Sequence, residues 1–288
     1  MGGAAVMWGL MAPLGKDAMQ HGIGGFPMVG IRVLGAAICF WLASWIYGRV
    51  GKDESFRQDK VDRKELTLLL GAAMFAIVLN QCNFIIGLSI TSPINASIMT
   101  TLMPIVTMAL SALILKEKVT GMRLLGLLLG CCGATTLITA SAGGTVGGVL
   151  LGDVMCVASQ VSYAFYLTAF KKVIARHHAI TCQKWMMLSA TVVVMPFCLP
   201  MLTHIDWANL TVKTYLETAF VVVGGTFMSF LLCTTAQRIL RPTVIAMYNY
   251  MQPIVACTVS VAIGLGIFTP FHLVAIMLVF LGVYLVNR

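Results

Sequence analysis

Asn80, Gln81, Asn83, Asn95, Gln160, Asn249 and Gln252 are side-chain amides set within long runs of Leu, Val, Ile and Ala. An amide carries two N–H donors and a carbonyl acceptor, and in apolar surroundings an unpaired polar group is costly. Groups of this kind do not activate a nucleophile or move a proton. They recognise, by hydrogen bonding, either one another or a small polar molecule. Tyr163 and Tyr248 add phenols, and Trp8, Met99 and Phe227 add aromatic and thioether surface. Such a mixture suits a small amphipathic solute. For any single residue, hydrogen bonding between helices is the competing reading.

Arg32 is the one charged side chain well inside an apolar run, about seven residues or roughly 10 Å of helix from its start. A charge at that depth is expensive and is commonly paired or functional. It either reaches back toward the interface or pairs with Asp17 or Asp153. Glu117 sits between Lys116 and Lys118 and is expected to pair locally; His177 and His178 lie in a basic loop and are expected to be solvated. Pro104 and Pro253 interrupt two apolar runs near their middles, where a missing N–H releases the carbonyl four residues earlier. Those two positions are read as hinges, with a packing kink as the alternative.

Catalytic patterns are absent. There is no H-E-x-x-H, no P-loop, no Ser–His pair and no paired carboxylates at matching depths. No enzyme is expected, and no metal or cofactor. The cysteines form no C-x-x-C or Cys/His cluster and lie almost entirely in apolar stretches, so they read as small packing residues.

The elements that must position these groups follow from composition. Of 288 residues 59% are hydrophobic and only 10% charged, against about 25% charged in a soluble domain. Apolar runs of about 20 residues recur, the length of a helix crossing some 30 Å of hydrocarbon. Ten segments can be drawn, near 2–20, 25–48, 65–90, 93–115, 120–140, 150–174, 180–202, 214–238, 242–265 and 269–287. The expected fold is all-α and polytopic, with ten transmembrane helices and the lipid bilayer as surroundings. Placing the N-terminus inside puts 16 of the 19 Lys and Arg on that side, which favours both termini in the cytoplasm. The net charge of +9 is thus loop charge that orients the chain, and nucleic acid is not an expected partner.

The chain also repeats itself. Ser92-Pro93 through Pro104-Ile105-Val106 aligns with Arg241-Pro242 through Pro253-Ile254-Val255 at an offset of 149, and Ser111, Thr120 and Gly133 match Ser260, Thr269 and Gly282. Two five-helix units are expected, 1–142 and 149–288. Five is odd, so the second unit enters the membrane from the opposite side, a construction that places a transporter's solute site near the midplane between the repeats. Gly126 and Gly130 form G-x-x-x-G, a face for close packing within the chain or against a second copy in a homodimer.

Trp8-Gly9 with Lys16, Arg32, the stretch from Gly87 through Pro93 and Pro104 to Leu115-Lys116-Glu117-Lys118, and Gly126 with Gly133 resemble the drug/metabolite transporter superfamily, specifically ten-span proteins of two EamA domains. The second half follows through Pro242, Pro253 and Gly282. The resemblance implies movement of a small metabolite, such as an amino acid or related solute, across the bacterial inner membrane, often outward. Two departures stand out: Gly266 replaces a glutamate expected after the ninth segment, and the chain begins almost inside the first segment. The expected activity is secondary transport by alternating access, as an exporter or permease. A passive channel or facilitator is the alternative.

Overall fold

The computed structural model describes residues 1–50, 56, 59–90, 99–141, 150–252, 254–255 and 270–287. Helices α1 (Gly2–Ala18) and α2 (Gly25–Val50) open the chain. They are joined by a turn at His21–Gly24 in which Gly22 and Gly24 take φ of 113° and 72°, values that a side chain would strain. α3 (63–90) begins at Asp62, whose side chain and that of Glu65 form a capping box, so two N–H groups at the helix start are satisfied. α4 (99–114), α5 (Gly121–Ser141) and α6 (Leu150–Ala169) follow. A short helix, Lys171–Arg176, then leads to α7 (Ala179–Leu202), α8 (Val212–Ile239), α9 (242–255) and α10 (Pro270–Asn287). α2, α3, α6, α7 and α8 are each long and apolar enough to cross a membrane; α1, α4, α5 and α10 contain shorter apolar helices. Large apolar side chains such as Ile38, Leu113, Phe197 and Phe280 stand exposed around the bundle, as lipid requires.

The helices pair by symmetry. α2 packs on α7, α5 on α10, α4 on α9, α1 on α8 and α3 on α6. Exchanging each helix for its counterpart five places along the chain returns the same set of pairs. Counterparts also run antiparallel. Along α2 and α7, Cys198 Sγ donates to the Phe26 carbonyl, Trp41 meets Trp185 and Lys184 Nζ donates to Ser44 Oγ, so numbers rise on one helix as they fall on the other. Two units related in this way thread the bilayer in opposite senses, and the protein is an inverted repeat.

Irregularities obey the same relation. α3 contains a π-helical stretch, Met74–Leu79, and α8 contains Val223–Met228, 149 residues later at both ends. α4 breaks in a turn at Thr101 and Leu102, and α9 tightens to a 3₁₀ turn at Tyr248–Tyr250. Tyr250 is the counterpart of Thr101, and its hydroxyl donates to the Thr101 carbonyl at 3.2 Å. Counterparts that touch one another lie on the pseudo-two-fold axis. Pro104 therefore does not kink a continuous helix. It sits in the first turn of Met103–Ile114, where its missing N–H has no intrahelical acceptor to lose.

Close packing by glycine falls within the chain. A Cβ on Gly126 would lie 2.7 Å from the Gly282 carbonyl oxygen, and one on Gly130 would lie 2.6 Å from the Tyr250 ring. The G-x-x-x-G face is thus occupied by α10 and α9 rather than by a second copy.

Candidate functional site

Three of the expected amides, Asn80, Gln81 and Gln160, converge where α3 meets α6 and α8. The π-helical stretch of α3 ends at Leu79, and Asn80 and Gln81 come directly after it. Such stretches widen a helix by one residue and are frequent at functional sites. Asn80 is buried and its Nδ2 donates to the Ser159 carbonyl at 2.9 Å, while its Oδ1 accepts from Gln81 Nε2 at 2.9 Å. Gln160 Nε2 donates to Ser159 Oγ at 2.9 Å, and Ser159 Oγ donates to the Cys156 carbonyl. Arg32 closes the chain of bonds: its Nη1 donates to Gln81 Oε1 at 2.8 Å and its Nε to Thr226 Oγ1 at 3.1 Å. Thr226 lies in the π-helical stretch of α8, and its hydroxyl donates to the Val221 carbonyl, five residues back, that the wider turn leaves within reach.

Two of these bonds, Asn80 to Ser159 and Arg32 to Thr226, join the first repeat to the second. By helix rise Ser159 is about 14 Å and Thr226 about 21 Å from the start of its helix, so both lie near the middle of their helices. Arg32 is 5% exposed, and it neither reaches the interface nor pairs with Asp17 or Asp153. Asp17 instead binds Lys213 at 2.8 Å.

About one turn from this network along both α6 and α8 stands an aromatic layer. Trp8 makes edge-to-face contacts with Tyr163 at 6.3 Å and with Phe230 at 5.9 Å, and the Tyr163 hydroxyl lies 3.3 Å from Cys233 Sγ. Phe227 is half-buried against Phe40 at 4.6 Å.

A second polar group sits on the axis. Gln252 Nε2 donates to Asn249 Oδ1 at 3.0 Å, and Asn249 Nδ2 in turn contacts Met103 Sδ across α4. Gly9 of α1 packs against the Gln252 carbonyl, where a Cβ would stand 3.0 Å away. Met99, just before the α4 break, and Tyr248, in the α9 turn, are both half-buried. Asn83 joins neither group, since its Nδ2 donates to the Leu79 carbonyl of its own helix at 2.7 Å. Asn95 and Pro253 lie outside the described residues.

Sequence reasoning missed several polar residues. Gln81 and Thr226 were not singled out as ligands of Arg32, although an amide and a hydroxyl at matching depth are the signal. Gln183 and Gln237 are fully buried near Thr234, with Gln183 Nε2 donating to Thr234 Oγ1 at 2.5 Å and both Gln237 polar atoms lacking a partner among the described residues. His177 is not solvated. It is buried with Nδ1 2.6 Å from Asp59 Oδ1 and Nε2 3.2 Å from Glu65 Oε2, because both acids precede or open α3 and fold over it. Glu117 forms no ion pair with Lys116 or Lys118 among the described residues; its Oε2 is buried without a hydrogen-bond partner.

No cluster of His, Cys, Asp or Glu that could hold a metal occurs among the described residues. A groove of about 540 Å³ on the outside of α2 and α7, lined by Leu34, Ile38, Trp41, Leu42 and Leu188, is apolar and faces lipid.

Comparison with known proteins gives a consistent picture. The model of the EamA-like transporter family matches twice, over residues 1–139 and 150–288. Two curated relatives from Bacillus subtilis (strain 168) bear the names uncharacterized transporter YyaM and uncharacterized transporter YetK. The first is 22% identical over 69% of this chain and 66% of its own length, and the second 23% identical over 77% and 68%. A solved crystal structure has the same fold, with a TM-score of 0.78 over 98% of this chain and 93% of the other at 16% identity.

Proposed function

We propose, from the premise that the chain belongs to the EamA-like transporter family, that it is a secondary transporter working by alternating access. In this reading it is an exporter or permease for a small metabolite, such as an amino acid or related solute. It sits in a bacterial inner membrane with both termini in the cytoplasm, the side on which the positive-inside rule places its basic loops.

The observation that carries the reading is the hydrogen-bonded seam between two oppositely threaded repeats near mid-bilayer. Each bond in it has a net worth of about 1 kcal/mol. A handful of such bonds can be exchanged for bonds to a solute, or remade on the other side, within the few kcal/mol that separate two populated conformations. Asn80, Gln160, Asn249 and Gln252, with Asn83 and Asn95, would supply hydrogen bonds to the solute. Trp8, Met99, Tyr163, Phe227 and Tyr248 would supply walls. The α4 break before Pro104 and its counterpart near Pro253 would flex as units 1–142 and 149–288 rock.

Replacing both Asn249 and Gln252 with Leu removes two hydrogen-bonding amides from the axis. In vesicles reconstituted with the purified chain, uptake of a labelled amino-acid mixture is expected to fall roughly tenfold or more, at about 1 kcal/mol per lost bond and with unchanged expression. Transport at the unsubstituted rate contradicts the assignment of this site.

A further inference from the structure

Arg32 has a charge that nothing among the described residues balances. Its two hydrogen bonds go to neutral acceptors, Thr226 Oγ1 and Gln81 Oε1. A guanidinium has five N–H groups, so three of them, including both on Nη2, have no acceptor among the described residues. Of the chain's ten carboxylate side chains eight are among the described residues, and none of these eight is paired with it. Asp17 is bound by Lys213 at 2.8 Å, and Glu217 lies 3.6 Å from the same ammonium group. Asp153 is in the first turn of α6, about 9 Å of helix from Ser159. Asp206 caps the 3₁₀ turn Trp207–Asn209. Asp59, Asp62 and Glu65 lie before or at the start of α3, and Glu117 lies in the turn after α4. Asp53 and Glu54 lie outside the described residues, more than twenty positions along the sequence from Arg32.

A buried cation held only by neutral dipoles is poorly compensated, and in a membrane interior this is a costly state. The planar guanidinium fork with unused N–H groups matches a carboxylate, which it binds through two parallel charge-assisted bonds. We propose that Arg32 binds a carboxylate carried by the transported solute, with Gln81, Asn80 and Thr226 holding the guanidinium in place. The solute enters the seam as the missing counter-ion. This deepens the transport reading and rests on it for the solute's route; the binding step itself does not depend on transport.

The test uses the purified full-length chain in detergent at neutral pH. Its thermal midpoint is measured with a mixture of α-amino acids and short monocarboxylates, and again with the matching carboxamides. Preferential binding to the folded state raises the midpoint, so the acids are expected to raise it by about 5 °C and the amides to leave it unchanged. Arg32→Gln is expected to abolish the difference. Arg32→Lys keeps the charge but not the fork, and is expected to weaken the acids' apparent affinity about tenfold. Equal shifts by acids and amides, or none by either, overturn the proposal on the unsubstituted protein alone, even where Arg32→Gln does not fold. Full acid preference in Arg32→Gln, or undiminished affinity in Arg32→Lys, also overturns it. Vesicle uptake measured beside these separates the two readings. Acid-selective binding without transport leaves this site and removes the carrier, whereas transport without acid selectivity removes this site and leaves the carrier.

Discussion

Asn80, Gln160, Arg32, Asn249 and Gln252 were visible as candidates because a polar group in an apolar run needs a partner, and the sequence shows both the group and the run. Their partners were not visible. Ser159 contributes a backbone carbonyl and Thr226 a common hydroxyl, and neither type stands out in a transmembrane stretch. The same blindness produced the error at His177, whose basic neighbours suggested water while two carboxylates from before and within the start of α3 enclosed it. That site makes its own prediction. Burial raises the Asp59 carboxyl, but hydrogen bonds from His177, the His178 N–H and Thr181 outweigh it and hold Asp59 below its ordinary 3.8. A carboxyl lowered by folding contributes stability that is present above its unfolded value and lost as pH falls through the folded one. Glu65 and Arg176 also face this cluster. The unfolding midpoint of the native chain is therefore expected to drop steeply below about pH 4, and Asp59→Asn to show a shallower drop from a lower starting value. Equal slopes for the two proteins would contradict the role given to Asp59.

Helix existence was legible, since each of the ten apolar runs holds helix among the described residues. Interruptions were not. The π-helical stretches Met74–Leu79 and Val223–Met228 contain no proline to mark them, and both carry contacts to other helices, Ser162 Oγ donating to the Phe75 carbonyl and Arg32 Nε to Thr226 Oγ1. Pro104 suggested a kink four residues upstream, whereas the chain breaks before it and uses the proline to start a helix. The glycine motif in α5 was legible as a packing face but not as to which neighbour covers it. The neighbours are α10 and α9, and the contact with α10 is backbone on backbone: a Cβ on Gly282 would stand 2.5 Å from the Gly126 oxygen and 2.8 Å from the Gly130 nitrogen. Backbone cannot rotate aside, so Gly282→Ala is expected to cost about 1–3 kcal/mol through forced separation of the helices. Gly121→Ala, where a Cβ meets nothing within 4 Å, serves as the control and is expected to leave the midpoint unchanged or slightly raised. Thermal unfolding in detergent reads both. A Gly282→Ala midpoint equal to that of the control would show that α5 and α10 are not held at this distance.

Duplication of a five-helix unit could be read from paired prolines at one offset, and inversion followed from five being odd. The structure adds what a linear pattern cannot hold, namely that α2, α4 and α5 pack against their own counterparts α7, α9 and α10 and that Tyr250 touches its own counterpart, Thr101. In the mechanism proposed above, a modest rearrangement of the two units about that axis would expose the polar seam to either side in turn. A passage that opens to one side at a time differs from a pore in one observable respect. In a carrier the returning step is faster when loaded, so solute trapped inside vesicles accelerates entry of labelled solute from outside. The direct measurement is counterflow in vesicles reconstituted with the purified chain, using the labelled amino-acid mixture with and without an internal load of the same unlabelled solutes. Internal load is expected to raise the initial uptake rate and to produce a transient overshoot. Uptake that proceeds at the same rate with and without load, and rises in proportion to external concentration without saturating, would contradict alternating access across the seam.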